Sequence, residues 1–172
     1  TDNLHALPIF LPHMEKIFNP ENTVMVSPDV GGVVRARAMA KKLNTDLAII
    51  DKRREKAGTS EVMNIIGEVD GKDCILVDDI VDSAGTLCNA AVALKEAGAK
   101  TIHAYIVHGV LSGGAVARVA SSPLEKLVIT DSICAPEAVR MCANIEQLSI
   151  APLMGEAIKR ITEERSISAL FT

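Results

Sequence analysis

The sequence predicts a doubly wound α/β fold, in which a mainly parallel sheet of about five strands carries helices on both faces. Two observations lead to this prediction. Short, continuously apolar segments recur along the chain, which is typical of strands buried on both faces of a sheet. Segments with helical spacing separate several of them, and this alternation is the pattern of parallel sheets. We therefore expect the 172 residues to form a single domain.

The individual elements are predicted from apolar runs and from the turns that end them. A first strand at residues 23–26 ends in Ser-Pro-Asp, and residues 33–43 then show helical spacing with Ala, Met and Leu on one side. A second strand at residues 47–50 is closed by Asp-Lys-Arg-Arg. The remaining predicted elements are a strand at residues 74–77, a helix from about 86 to 97 that stops at Gly98, and strands at 102–107 and 126–130.

Composition argues against several classes of function. The net charge of −4 gives no basic surface for nucleic acid or an anionic membrane, and three Phe, one Tyr and no Trp leave few aromatic side chains on which bases could stack. The sequence shows no signal peptide and no apolar run that could span a bilayer. Four cysteines without CxxC spacing are typical of reduced thiols. We therefore expect a cytoplasmic protein that binds neither nucleic acid nor membranes.

The most informative stretch is CILVDDIVDSAGT, at residues 74–86. An apolar strand runs into a carboxylate pair, Asp78 and Asp79, at the edge where open parallel sheets bind ligands. A small-residue turn then leads into a helix, and we expect its backbone N–H groups and the helix N-terminus to bind a phosphate. This small-residue turn consists of Asp82, Ser83, Ala84, Gly85 and Thr86.

The carboxylate pair is expected to bind another part of the same ligand, because carboxylates beside a phosphate would repel it. An ionised carboxylate accepts hydrogen bonds from vicinal hydroxyl groups. A phosphate site beside a site for a diol predicts that the ligand is ribose 5-phosphate. The alternative is an ordinary helix N-cap with surface acids, since Asp and Ser favour such turns. The length and composition of the whole run favour the ligand site.

These residues resemble a known family. The stretch VDDIVDSAGT at 77–86 is similar to the phosphoribosyl-pyrophosphate loop shared by type I phosphoribosyltransferases and ribose-phosphate pyrophosphokinases. Three further segments resemble the pyrophosphokinases. SPDVGGVVRAR at 27–37 resembles their pyrophosphate loop, DKRR at 51–54 followed by EVMNIIG at 61–67 resembles their flexible catalytic loop, and SISALFT at 166–172 resembles their C-terminus.

The resemblance implies an activity and site residues. It implies transfer of pyrophosphate from ATP to ribose 5-phosphate, giving phosphoribosyl pyrophosphate and AMP, with Mg²⁺ as cofactor. Asp78 and the small-residue turn would bind the sugar phosphate, with Asp79 beside them. Lys52 and Arg54 would be the catalytic cations that approach the transferred phosphates, and residues 54–60 would form a mobile lid. Taken alone, such a basic segment would most often be a solvated turn.

The pyrophosphate loop supplies the remaining predicted site residues. The resemblance implies that Asp29 is a magnesium ligand and that Gly31 and Gly32 belong to the loop that binds the pyrophosphate. Two glycines between a strand and a helix are often simple turn formers, so this pair is weak evidence by itself. His108 lies near the end of the fourth predicted strand. Two interpretations of this residue stay open: it lines the site, or it is a structural histidine.

The resemblance covers the C-terminal half of a pyrophosphokinase. It implies that the residues for adenine binding lie in another half, that this chain alone is inactive, and that the parent enzyme is a homo-oligomer. Two alternatives stay open. One is a type I phosphoribosyltransferase, which shares the loop at 77–86 but is disfavoured by the KRR segment and the C-terminal residues. The other is a non-catalytic regulatory relative, which the presence of Asp29, Lys52, Arg54 and Asp78 disfavours.

Overall fold

The computed structural model describes residues 3–53 and 62–171. In these ranges the chain forms one seven-stranded sheet with the order β3-β2-β1-β4-β5-β6-β7. All neighbouring strands are parallel except β2 and β3, which pair antiparallel. The strands are β1 Thr23–Ser27, β2 Asp46–Arg53, β3 Val62–Ile66, β4 Asp73–Val81, β5 Thr101–Gly109, β6 Lys126–Thr130 and β7 Ile145–Leu148.

Six α-helices accompany the sheet in the described ranges. They are α1 Leu7–Ile17, α2 Val33–Leu43, α3 Gly85–Glu96, α4 Ala115–Ala120, α5 Glu137–Met141 and α6 Ala151–Thr162, and short 3₁₀ turns occur at Pro20–Asn22 and Ser168–Leu170. The longest of these helices have 12 residues. Such a helix is about 18 Å long, so no helix in the described part of the chain crosses the roughly 30 Å hydrocarbon core of a bilayer.

The core has one apolar layer on each face of the sheet. On one face, α1 and α2 pack Phe10, Met14 and Met39 against Met25 and Tyr105 of the strands. On the other face, α3, α4 and α5 cover a second cluster that includes Leu76, Leu94, Ile102, Leu127 and Val139. Burial on both faces explains why these strands are continuously apolar in sequence. The predicted doubly wound α/β fold is confirmed.

The order of the strands places a crevice between β1 and β4. From β1 the chain moves to β2 and β3 on one side, and β4 then returns to the other side of β1. The loops after β1 and β4 therefore leave the sheet in opposite directions at adjacent strand ends. This is the topological switch point at which open α/β sheets bind ligands. The segment after β1 and the small-residue turn after β4 both begin here.

The five predicted strands and both predicted helices are present, but the sheet has two further strands. These are the edge strands β3 and β7, whose sequences VMNII and IEQL contain polar residues and lack a long apolar run. Strand β4 is also longer than predicted and continues through the carboxylate pair to Val81, because Ile80 and Val81 still pair with His108 and Gly109 of β5. Helices α1, α4, α5 and α6 were not predicted.

Candidate ligand-binding site

A cleft of about 270 Å³ opens at the carboxyl ends of the central strands. Part of its wall is apolar and comes from Pro28, Ile80 and Ile106. The cleft is also lined by Asp78 and by every residue of the small-residue turn, Asp82, Ser83, Ala84, Gly85 and Thr86. The structure therefore brings together six of the residues that the sequence predicts to bind ribose 5-phosphate.

The carboxylate pair is joined to a cation that the sequence analysis did not assign to it. Arg35 donates one hydrogen bond to Asp78 Oδ1 over 2.6 Å and another to Asp79 Oδ2 over 2.7 Å. Asp78 Oδ1 also accepts the backbone N–H of Asp79 at 2.9 Å. Arg35 lies in the first turn of α2, which begins beside β4 at the switch point. Its position just after the Gly-Gly pair was the available signal for this contact.

The environment of Asp78 works against its ionisation. Burial raises the pKa of Asp78, and the negative charges of Asp79 and Asp29 act in the same direction. The backbone N–H of Asp79 and the guanidinium of Arg35 oppose this rise in pKa. Asp78 is partly buried and lines the cleft, whereas Asp79 is exposed and lies beside it. Arg35 therefore compensates for the concentration of negative charge at this strand end.

The small-residue turn presents the start of α3 to the cleft. Ala84 has φ of 60°, in the left-handed region, and α3 then begins at Gly85. No side chain in the described ranges caps this helix. The first N–H groups of a helix have no partner within the helix, so at an uncapped end they are available to an anion. The exposed hydroxyl-bearing residues Ser83 and Thr86 lie in the same wall of the cleft.

The loop after β1 is closed by hydrogen bonds of its own. Asp29 Oδ1 accepts the N–H of Gly32 at 2.8 Å, and the carbonyl oxygen of Asp29 accepts the Ser27 hydroxyl at 2.7 Å. A Cβ atom at Gly32 would lie 2.8 Å from Ser27 Oγ, which is fully buried, whereas one at Gly31 would lie 3.3 Å from Asp29 Oδ1. Glycine at position 32 is therefore a steric requirement of this loop.

The other predicted residues are described only in part. The backbone of Lys52 lies in β2, paired with Met63 of β3 and three residues beyond Ile49, the partner of the last residue of β1. Arg54 and the predicted lid at residues 54–60 lie outside the described residues. Residues 62–66, which the resemblance assigns to the catalytic loop, form strand β3.

His108 lies next to the cleft and has a side-chain partner. It is exposed, its Nδ1 is 2.9 Å from Ser132 Oγ, and it is paired in the sheet with Ile80, which does line the cleft. Arg118 on α4 is a residue that the sequence analysis did not identify at all. Its guanidinium donates to the carbonyl oxygen of Ser83 in the small-residue turn.

The fold and the cleft define the chain as a phosphoribosyltransferase-like α/β domain. Residues 54–172 match the model of the phosphoribosyl synthetase-associated domain family, and the chain belongs to this family. A ribose-phosphate pyrophosphokinase of Granulibacter bethesdensis is 62% identical over 170 residues, and one of Rhizobium meliloti is 62% identical over 171 residues. Each match covers 99% of this chain and 55% of the relative. The chain thus spans about half the length of these curated relatives.

Solved structures agree with this assignment. A phosphoribosylpyrophosphate synthetase from Mycobacterium smegmatis has a TM-score of 0.86 at 34% identity, over 95% of this chain and 52% of that one. A purine phosphoribosyltransferase from Pyrococcus horikoshii has a TM-score of 0.51 at 23% identity, over 71% of this chain and 78% of that one, and shows a shared fold only. The predicted resemblance to ribose-phosphate pyrophosphokinases is confirmed.

Proposed function

We propose that this chain supplies the ribose 5-phosphate site and the catalytic loop of a ribose-phosphate pyrophosphokinase. The observation that carries the proposal is the cleft itself. It combines an uncapped helix start in the small-residue turn with the carboxylate of Asp78 in one wall. The names and the identities of the curated relatives support the same activity.

In the proposed complex, the N–H groups of the small-residue turn bind the phosphate of ribose 5-phosphate. The carboxylates of Asp78 and Asp79 accept hydrogen bonds from the hydroxyl groups of the sugar. Their ion pairs with Arg35 are compatible with this role, because an ionised carboxylate has about four acceptor positions. The apolar wall of Pro28, Ile80 and Ile106 would face the remainder of the bound ligand.

The proposed reaction transfers pyrophosphate from ATP. The anomeric hydroxyl oxygen of the sugar forms a bond to the β-phosphorus and loses its proton, while the bond from the β-phosphorus to the oxygen bridging the α- and β-phosphates breaks. AMP leaves with that oxygen. We propose that Lys52 and Arg54 stabilise the charge on the transferred phosphates, because positioning and charge stabilisation dominate catalysis of phosphoryl-type transfer.

Magnesium fits this proposal as an ion shared between protein and substrate. In the described ranges no group of three or more metal-binding side chains exists. Mg²⁺ commonly binds through one or two carboxylates together with substrate phosphates, and it neutralises their charge when bound. We propose Asp29 as such a carboxylate, with Gly31 and Gly32 placing the backbone of its loop beside the pyrophosphate.

We also propose the localisation, the oligomeric state and the partners of the enzyme. We propose a cytoplasmic homo-oligomer whose partners are ribose 5-phosphate and ATP. Because the curated relatives are about twice as long as this chain, we propose that binding of ATP also uses residues outside the matched half.

Calorimetric titration of the 172-residue chain with ribose 5-phosphate tests the site. We expect saturable binding that Asp78→Ala and Thr86→Ala each weaken by about tenfold, which is the size that the loss of a hydrogen bond to a charged group brings. Glu137→Ala on α5 is the control for Asp78→Ala, because it removes one exposed carboxylate elsewhere. Wild-type affinity in both site variants would exclude this cleft as the sugar phosphate site.

A further inference from the structure

The chain segment that follows β5 donates hydrogen bonds to carbonyl oxygens of the small-residue turn. We infer that Arg118, on α4 in that segment, is a positioning residue that orients the peptide groups of the turn toward an anion. This inference rests on the proposed function, since it concerns how the phosphate of ribose 5-phosphate is bound. It assigns to Arg118 a role in affinity without direct contact with the ligand.

Two successive carbonyl groups of the turn accept hydrogen bonds from this segment. The backbone N–H of Ser112 donates to the carbonyl oxygen of Asp82 over 3.1 Å. The guanidinium of Arg118 donates to the next carbonyl oxygen, that of Ser83. Both carbonyl oxygens therefore point toward the segment after β5. The first contact is made by backbone and is independent of side-chain identity, whereas the second requires the arginine.

The orientation of these carbonyl groups fixes the orientation of the N–H groups that follow them. A trans peptide is planar, and its C=O and N–H point in opposite directions. The N–H groups of Ser83 and Ala84 consequently point away from the segment after β5. Ser83 and Ala84 line the cleft, and Arg118 is not among the residues that line it. We conclude that the two N–H groups point toward the cleft, as binding of an anion by backbone requires.

The turn needs such support because its backbone conformation is unfavourable for its sequence. Ala84 carries a Cβ atom and has φ of 60°. The left-handed conformation costs a residue with a side chain about 1 kcal/mol. Without a donor at the carbonyl of Ser83, the Ser83–Ala84 peptide could rotate and turn its carbonyl oxygen toward the phosphate. The charge of Arg118 also adds to the positive potential at the turn.

Nuclear magnetic resonance of the ¹⁵N-labelled 172-residue chain tests the inference. Titration with ribose 5-phosphate is expected to shift the amide signals of Ser83 and Ala84 in the wild type. Arg118→Met should raise the dissociation constant by at least about tenfold and abolish these two shifts, as expected for the loss of a charge-assisted hydrogen bond. Arg118→Lys should recover part of the affinity. Arg140→Met, which removes one exposed arginine from α5, should bind like the wild type.

The outcomes separate this inference from the proposed function. Failure of the wild type to bind would contradict the proposed function itself. Wild-type affinity and wild-type amide shifts in a folded Arg118→Met variant would overturn the positioning role and leave the site intact. If thermal unfolding shows that the Arg118→Met variant is not folded, the affinity and amide shifts of the Arg118→Lys variant test the inference instead. Reduced affinity of that variant supports the inference, and wild-type affinity with unchanged shifts overturns it.

Discussion

Arg35 Nη1 lies 2.6 Å from Asp78 Oδ1 and joins the first turn of α2 to the carboxyl-terminal part of β4. The contact spans the switch point between two strands whose loops diverge. The same guanidinium also binds Asp79, so one cation serves two adjacent carboxylates. Arg35 thereby fixes the positions of the carboxylate pair at the proposed sugar site.

Replacement of Arg35 by methionine should reduce stability in a pH-dependent manner. We expect Arg35→Met to lower the free energy of unfolding by about 1 kcal/mol at pH 7, since the pair is partly exposed. The difference should shrink as the pH falls, because each of the two ion pairs of Arg35 stabilises the protein only while its carboxylate is ionised. Since burial raises the pKa of Asp78, the loss of the Arg35–Asp78 ion pair should begin above the usual range of an aspartate.

Urea unfolding of both proteins between pH 3 and pH 7 measures this difference. Arg37→Met, which removes an exposed arginine from the same helix, is the control for charge alone. A difference that is equally large at both ends of the pH range would contradict the assignment of the effect to the ion pair.

The glycines of the loop after β1 should respond differently to alanine. Gly32→Ala places a Cβ atom 2.8 Å from the buried Ser27 hydroxyl and should cost about 1–3 kcal/mol of stability. Gly31→Ala, with 3.3 Å to Asp29 Oδ1, should cost less than half of that. In contrast, Gly155→Ala in α6 meets no atom within 4 Å and should stabilise the helix by about 0.5–1 kcal/mol.

Chemical unfolding midpoints of the three alanine variants provide the measurement. An equal loss of stability in Gly31→Ala and Gly32→Ala would show that the contact with Ser27 does not determine the cost.

The reactivity of the cysteine thiols toward an alkylating reagent should depend on their burial. Burial, with a smaller contribution from the charge of Asp73, raises the pKa of Cys74 to about 12, and burial also raises the pKa of Cys88. Cys134 is exposed. With iodoacetamide at pH 8, we expect rapid alkylation of Cys134 and alkylation of Cys74 and Cys88 only after unfolding, because the thiolate is the reacting form.

Mass spectrometry of the peptides measures the extent of alkylation at each cysteine. The same reaction in urea is the control for the intrinsic reactivity of each thiol. Alkylation of native Cys74 at the rate of Cys134 would be inconsistent with the core described above.

The isolated 172-residue chain should not complete the proposed reaction. We expect no AMP from ATP, ribose 5-phosphate and Mg²⁺, because the relatives are about twice as long and we propose that ATP binding also uses residues outside the matched half. A misplacement of reacting groups by ~1 Å already costs ~100-fold in rate. Chromatographic separation of AMP and ATP is a sufficient assay, and robust formation of AMP would contradict this expectation.

The central strands could be predicted because both of their faces are buried. Val24 to Val26 of β1 and Ile75 to Val77 of β4 are continuously apolar and almost fully buried. The edge strands β3 and β7 were not predicted from the sequence. An edge strand is less enclosed than a central strand and can contain polar residues, and whether its residues form a strand depends on the strand with which they pair. The continuation of β4 through Asp78 and Asp79 likewise depends on pairing with β5.

The site could be predicted where it is local in sequence. The small-residue turn follows its strand directly, so its place at the sheet edge is determined by the strand. Arg35 and Arg118 could not be connected with it in this way. Arg35 lies 43 residues before Asp78, and Arg118 lies 35 residues after Ser83. Such contacts depend on how α2 and α4 pack in three dimensions, which short-range patterns do not specify.

A crystal structure of the chain soaked with ribose 5-phosphate would show whether the small-residue turn binds the phosphate. We expect the phosphate oxygens to lie within hydrogen-bonding distance, about 2.7–3.2 Å, of the N–H groups of the small-residue turn. We also expect the ribose hydroxyls to lie at the same distance from the carboxylates of Asp78 or Asp79. A sugar phosphate bound in another cleft, or one with its phosphate directed away from residues 82–86, would contradict the proposed site.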